Sequence, residues 1–150
     1  MKKSFAFILA AAAVSISIPV WAQFAKAEDA IKYRQSALFV MQQNFGRVAG
    51  MAAGKVLFDA KVATDSAAVA EFVGRLPWAG FVPDTATGNT KAKPEIWSNR
   101  AKFDDNANKL QAELTKLSAA AKTGNLDNIK VAVNATGAVR KSCHDDFRAK

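Results

Sequence analysis

Residues 126–148 read LDNIKVAVNATGAVRKSCHDDFR. Ile129, Val133, Thr136, Arg140, Cys143 and Phe147 recur at alternating spacings of four and three, which is one face of an α-helix from about Asp127 to Arg148. Thr123-Gly124-Asn125 breaks the chain just before it. Upstream, Phe103, Leu110, Leu114, Leu117 and Ala121 mark a third helix that starts near Pro94-Glu95-Ile96-Trp97, where proline suits the first turn. Ile31, Leu38, Met41, Phe45 and Val48 stripe a first helix from about Glu28 to Met51. A second is expected from about Asp65 to Arg75, with Asp65 or Ser66 as its N-cap and Val69, Phe72, Val73 and Leu76 facing inward. Gly50 and Gly54 leave an earlier start near Val56 open. Residues 77–94, PWAGFVPDTATGNTKAKP, hold every proline after Pro19 together with Gly80 and Gly88, so regular structure cannot run through them. No sustained period-two alternation suggests a strand. The pattern predicts an all-α, antiparallel four-helix bundle with one long connection.

The ends of the chain differ in character. Met1-Lys2-Lys3 is basic, Phe5 to Val20 is almost wholly apolar or small, and Val20-Trp21-Ala22 offers small residues where a signal peptidase needs them. Residues 1–22 therefore read as a secretory signal peptide and 23–150 as one helical domain, exported to the periplasm. Loss of Lys2 and Lys3 takes the 21 basic residues to 19 against 13 acidic ones, a formal charge of +6. No later stretch reaches the roughly 20 apolar residues a membrane span requires. Lysine and arginine scatter over all four helices without a base-stacking motif, which argues against a nucleic-acid partner.

The chain has one cysteine and one histidine, and they are neighbours, Cys143-His144. One cysteine excludes an intrachain disulfide, and one histidine excludes a multi-histidine zinc site. A buried thiol beside a half-exposed imidazole is the plainest reading. A Cys-His nucleophilic dyad fails on geometry, because consecutive helical side chains point about 100° apart. Arg140-Lys141-Ser142-Cys143-His144 is the distal half of C-x-x-C-H, the covalent haem attachment motif, with arginine at the first cysteine position.

Three separated stretches resemble the cytochrome c-prime family. They are Gln23 to Leu38 (QFAKAEDAIKYRQSAL), then Leu76-Pro-Trp-Ala-Gly-Phe81 with Pro94-Glu-Ile-Trp97, and Gly137 to Arg148 apart from position 140. The resemblance implies a periplasmic haem-carrying four-helix bundle, commonly a homodimer, and not an enzyme. It implies c-type haem with His144 as proximal iron ligand and Cys143 as a thioether, which with Arg140 in place of the first cysteine becomes a single tether. Leu38 corresponds to the apolar distal residue. That wall offers the iron no ligand, so it should stay five-coordinate and favour nitric oxide or carbon monoxide. Arg34 corresponds to a basic residue near the haem propionates, though its place on the first helix equally suits a solvated surface charge. Arg148, four residues after His144, corresponds to a basic residue beside the proximal ligand. Tyr33 and Phe147 are candidate packing partners of the porphyrin; Trp78, Phe81 and Trp97 read as core and loop anchors.

Two other readings stay open. The incomplete motif could leave a haem-impaired or haem-free bundle with a structural or interaction role. Met41 or Met51 could close a six-coordinate electron-transfer centre. A redox partner protein is compatible with the basic surface, and no residue names it.

Overall fold

The computed structural model describes residues 24–150; the expected signal peptide, residues 1–22, lies outside them. Helix α1 (Ala27–Ala52) carries the expected stripe, burying Ile31, Met41, Phe45 and Val48, and buries Arg34 among them. Helix α2 (Ala60–Val73) follows, then a 3-10 turn (Pro77–Gly80), a single turn α3 (Glu95–Ser98), α4 (Arg100–Lys122) and α5 (Leu126–Phe147). The third expected helix is therefore interrupted at Asn99, whose backbone (φ −125°, ψ 53°) is not helical. Among the described residues there is no strand, only an isolated bridge between Ala92 and Arg148.

Helix α2 corrects two expectations. It begins six residues earlier than Ser66, capped by Asp59, whose carboxylate accepts from the Val62 amide at 2.9 Å. Its inward face is Ala63, Ser66, Ala67 and Ala70, while Val69 and Phe72 are exposed. The reason is closeness. Small buried side chains let α2 lie close to its neighbours, and at Gly74, just past the helix, a Cβ would stand 2.5 Å from the Leu114 side chain.

The long helices pack in a ring, α1 on α2, α2 on α4, α4 on α5 and α5 on α1. Three apolar clusters fill the bundle along its length. One end holds Phe45, Val48, Ala63, Leu117 and Ile129. Met41, Ala70, Leu110 and Leu114 form the middle. The other end holds Phe81, Ile96, Phe103, Cys143 and Phe147.

The long connection closes this last end. Gly80 presses so tightly on α1 that a Cβ there would meet the Ala30 carbonyl oxygen at 2.7 Å and the Arg34 Cβ at 2.9 Å. Further on, the connection clasps the end of α5: the Lys93 amide donates to the Phe147 carbonyl at 3.0 Å, and the Ala149 amide to the Lys91 carbonyl at 2.9 Å. No helix among the described residues is long and apolar enough to cross a membrane.

Candidate functional site

Asn125 starts the helix that carries the site. Its side-chain oxygen accepts from the Asp127 and Asn128 amides at 2.9 and 3.1 Å, satisfying two otherwise unpaired donors. Five turns later the periodicity turns Cys143 inward and His144 sideways. Cys143 is 8% exposed, among Phe81, Ile96, Phe103 and Phe147. The rings form a chain: Phe81 and Phe103 lie 4.8 Å apart and edge-on, Phe103 and Phe147 5.4 Å. Burial first, and the nearby Asp146 charge second, push the thiol up to about 11.

His144 is half-buried. Burial, then the charges of Arg140 and Arg148 on either side of it, pull its pKa below the ordinary 6.5. At neutral pH its imidazole is neutral, which is the form that can donate a lone pair to a metal. Arg148 itself is exposed and stands just beyond α5 in extended conformation, its amide donating to the His144 carbonyl at 3.1 Å.

Leu38 on α1 is partly buried and packs against both the Cys143 cluster and the central one. Met41, one turn on, belongs to the central cluster with Leu110 and Leu114. Met51 belongs to the far end, where its sulfur accepts from the Asp59 amide at 3.4 Å.

Arg34 corrects the idea of a surface charge: it is 1% exposed. Nη1 donates to the Gly80 carbonyl (3.0 Å) and Thr85 Oγ1 (2.7 Å), and Nη2 to the Thr85 carbonyl (2.8 Å) and Thr90 Oγ1 (2.9 Å). The guanidinium also lies 4.6 Å from the Phe81 ring centre and 5.7 Å from that of Trp97. Burial lowers its pKa to about 10. All four acceptors are neutral oxygens.

The remaining predicted residues separate. Phe147 joins Cys143, whereas Tyr33 packs on Phe24 with ring centres 5.2 Å apart and lines a shallow groove with Val40 and Leu76. Arg140 is half-buried on the wall of a different, open groove of about 650 Å³, with Arg47, Phe45, Val56 and Leu57. There its guanidinium can reach solvent without entering the apolar cluster. Trp78 and Trp97 act as anchors, donating to the Gly74 carbonyl at 2.8 Å and the Val82 carbonyl at 3.0 Å. Thr85 and Thr90 escaped the sequence reading, because a hydroxyl in an irregular loop carries no periodic signal. No group of three or more His, Cys, Asp or Glu among the described residues could hold a metal ion.

The Cytochrome C′ family model matches residues 29–148. A cytochrome c′ of Rubrivivax gelatinosus is 49% identical over 129 residues, 85% of this chain and 100% of that protein. One from Alcaligenes xylosoxydans xylosoxydans is 44% identical over 128 residues, 85% and 99% of the respective chains. The crystal structure of the Rubrivivax gelatinosus protein gives a TM-score of 0.82 at 48% identity, over 85% of this chain and 100% of that one. The nitric oxide complex of a leucine-to-alanine variant of the Alcaligenes xylosoxidans cytochrome gives 0.79 at 43%, over 85% and 99%.

Proposed function

The chain belongs to the cytochrome c′ family, a family of c-type haem proteins rather than classical enzymes, and from that membership we propose that it is a periplasmic gas-binding haem protein. His144 is the proximal iron ligand, Cys143 the only thioether, and Leu38 the apolar cover of the open side. One observation carries this reading. The chain's sole imidazole stands half-buried beside a thiol that is buried in an aromatic cluster, and Leu38 packs on that same cluster.

The donor set fits the group. A neutral imidazole suits haem iron, and an apolar aromatic surround suits a macrocycle. Haem bound there supplies an iron centre able to take a diatomic gas or exchange one electron. The protein's own residues do the rest. Leu38 offers neither ligand nor hydrogen-bond donor, which favours nitric oxide and carbon monoxide over dioxygen. Arg34 holds a buried positive charge with only neutral acceptors around it, so an anionic propionate nearby would offset its desolvation. Arg148 keeps a positive charge beside the proximal ligand. Nitric oxide complexes of variants of a relative support the choice of ligand. The packing of Met41 and Met51 away from the Cys143 cluster favours five-coordinate over six-coordinate iron.

Arg140 occupies the place of the first haem cysteine. Expression with the leader in a host that matures c-type haem, followed by acidified organic extraction, tests the tether. Haem that stays on the chain, with an alkaline-pyridine spectrum between two-thioether and free haem, is the expected result. Complete loss of haem on extraction would exclude a thioether, and a chain that never acquires haem would be the haem-impaired bundle instead. Arg140→Cys should raise the retained fraction. A high-spin ferric spectrum at rest is expected; a low-spin one would point to Met41.

A homodimer and an acidic redox partner complete the proposal. Val69 and Phe72 on α2 and Phe39 and Val40 on α1 are exposed apolar residues, and Val40 and Leu76 border one groove between these helices. That face supports self-association. The net positive charge supports steering of an acidic electron carrier.

A further inference from the structure

Arg34 sits on the first long helix and His144 near the end of the last, and two sets of hydrogen bonds, joined through the backbone of residues 91–93, link their neighbourhoods. We propose that Arg34 is a positioning residue for His144, acting through the 77–94 connection; the proposal deepens the haem-ligand reading above and rests on it.

The first set begins with the planar fork of the guanidinium. An arginine has five N–H donors in fixed directions, and here four contacts pin three points of the connection: Gly80, Thr85 and Thr90. Thr85 passes the constraint on locally, its hydroxyl donating to the Val82 carbonyl at 2.7 Å. Thr90 passes it forward. Its Oγ1 accepts both from Arg34 and from the Ala92 amide at 3.1 Å, so the arginine fixes the backbone at the point where it reaches α5. Gln35, the next residue of α1, adds a contact to the Asn89 carbonyl at 2.8 Å.

From Ala92 onward the connection grips the helix end. The Lys93 amide and the Lys91 carbonyl bond to Phe147 and Ala149 on either side of the Ala92–Arg148 bridge. The Lys93 ammonium donates to the Asp145 and Asp146 carbonyls at 3.0 and 3.2 Å, two of the carbonyls that a helix C-terminus leaves without intrahelical partners. These bonds surround the turn containing His144 without touching its ring. They determine how far that last turn can fray or tilt, and so the direction in which the imidazole presents its nitrogen.

The test uses the haem-loaded protein and two readouts, hydrogen exchange of individual amides and the iron–imidazole stretching band of the ferrous form. Thr90→Val removes the forward link and leaves the other Arg34 contacts in place. It should speed exchange at the Lys93 and Ala149 amides by about tenfold or more, leave Ala67 and Ala70 in α2 unchanged, and shift or broaden the stretching band. Thr90→Ser restores the hydroxyl and should return both readouts to their starting values. Arg34→Lys keeps the charge but not the fork, and should reproduce the Thr90→Val behaviour. Unchanged exchange at Lys93 and Ala149 in Thr90→Val would overturn the relay. Faster exchange with an unmoved band would overturn the positioning role. If the unaltered protein shows no iron–imidazole band, the ligand assignment itself fails and the positioning role with it, while the exchange rates still report whether Arg34 holds α5.

Discussion

Cys143 and Arg34 show how much a single side chain's surroundings decide. The thiol is held at about 11 by burial and Asp146, so in the haem-free chain at pH 8 it is almost wholly protonated. Alkylation by iodoacetamide should then be slow at pH 8, accelerate toward pH 11, and become fast at pH 8 once denaturant opens the chain. A rate at pH 8 equal to that of a free thiol would contradict the burial. Cys143 was legible in the sequence because its spacing from Arg140 and Phe147 placed it on the helix's inner face. Arg34 was not. Its position relative to Ile31 and Leu38 put it near the apolar stripe, but periodicity cannot tell a snorkelling arginine from one whose fork finds four oxygens. Those oxygens come from residues 46 to 56 positions away.

The helices and their connection carry the next layer. Asn125 alone accepts two amides at the start of α5, so Asn125→Ala should cost about 1 kcal/mol, measured by denaturant unfolding. Gly80→Ala should cost more, about 1–3 kcal/mol, because the added methyl would enter the Ala30 carbonyl and the Arg34 side chain. It should also loosen Arg34, whose Nη1 uses the Gly80 carbonyl. The existence of α1, the α4 stripe and α5 followed directly from periodicity. Periodicity starts α2 late and turns Val69 and Phe72 inward, because alanine is ambiguous; of that expected face Val73 does pack on the central cluster. The bulky Val69 and Phe72 point one way, while the buried face is made of the small residues Ala63, Ser66, Ala67 and Ala70. Helix α3 separated from α4 because Asn99 leaves helical geometry, which no residue pattern announced.

Across the bundle, the face shared by α1 and α2 leaves Phe39, Val40, Val69 and Phe72 exposed. If that α1–α2 face joins two copies, Phe72→Glu should convert the dimer to a monomer in sedimentation at micromolar concentration, without loss of helicity. An unchanged mass would place the interface elsewhere. Acid stability is set partly by Glu71, where α2 meets α4. The Ser118 and Thr115 hydroxyls and the Arg75 guanidinium hold its carboxyl below the ordinary 4.5. A depressed folded value means the stabilisation is complete above pH 4.5 and disappears as the pH falls through that lower value. Glu71→Gln should therefore flatten the stability curve on the acid side and leave its slope near neutrality unchanged.

Much of this protein is determined locally. Helical period, breakers and the adjacent Cys143-His144 depend on residues within a few turns of one another, and they define the bundle, the long connection and the candidate ligand pair. The tertiary structure decided what depends on distant partners. It buried Arg34 under Thr85 and Thr90, turned α2 onto its alanines, set Tyr33 against Phe24, and clasped the end of α5 with Lys91 and Lys93. Those outcomes rest on steric fit and on hydrogen bonds between segments far apart in the chain, where a residue's type states what it can donate or fill but not what it will meet.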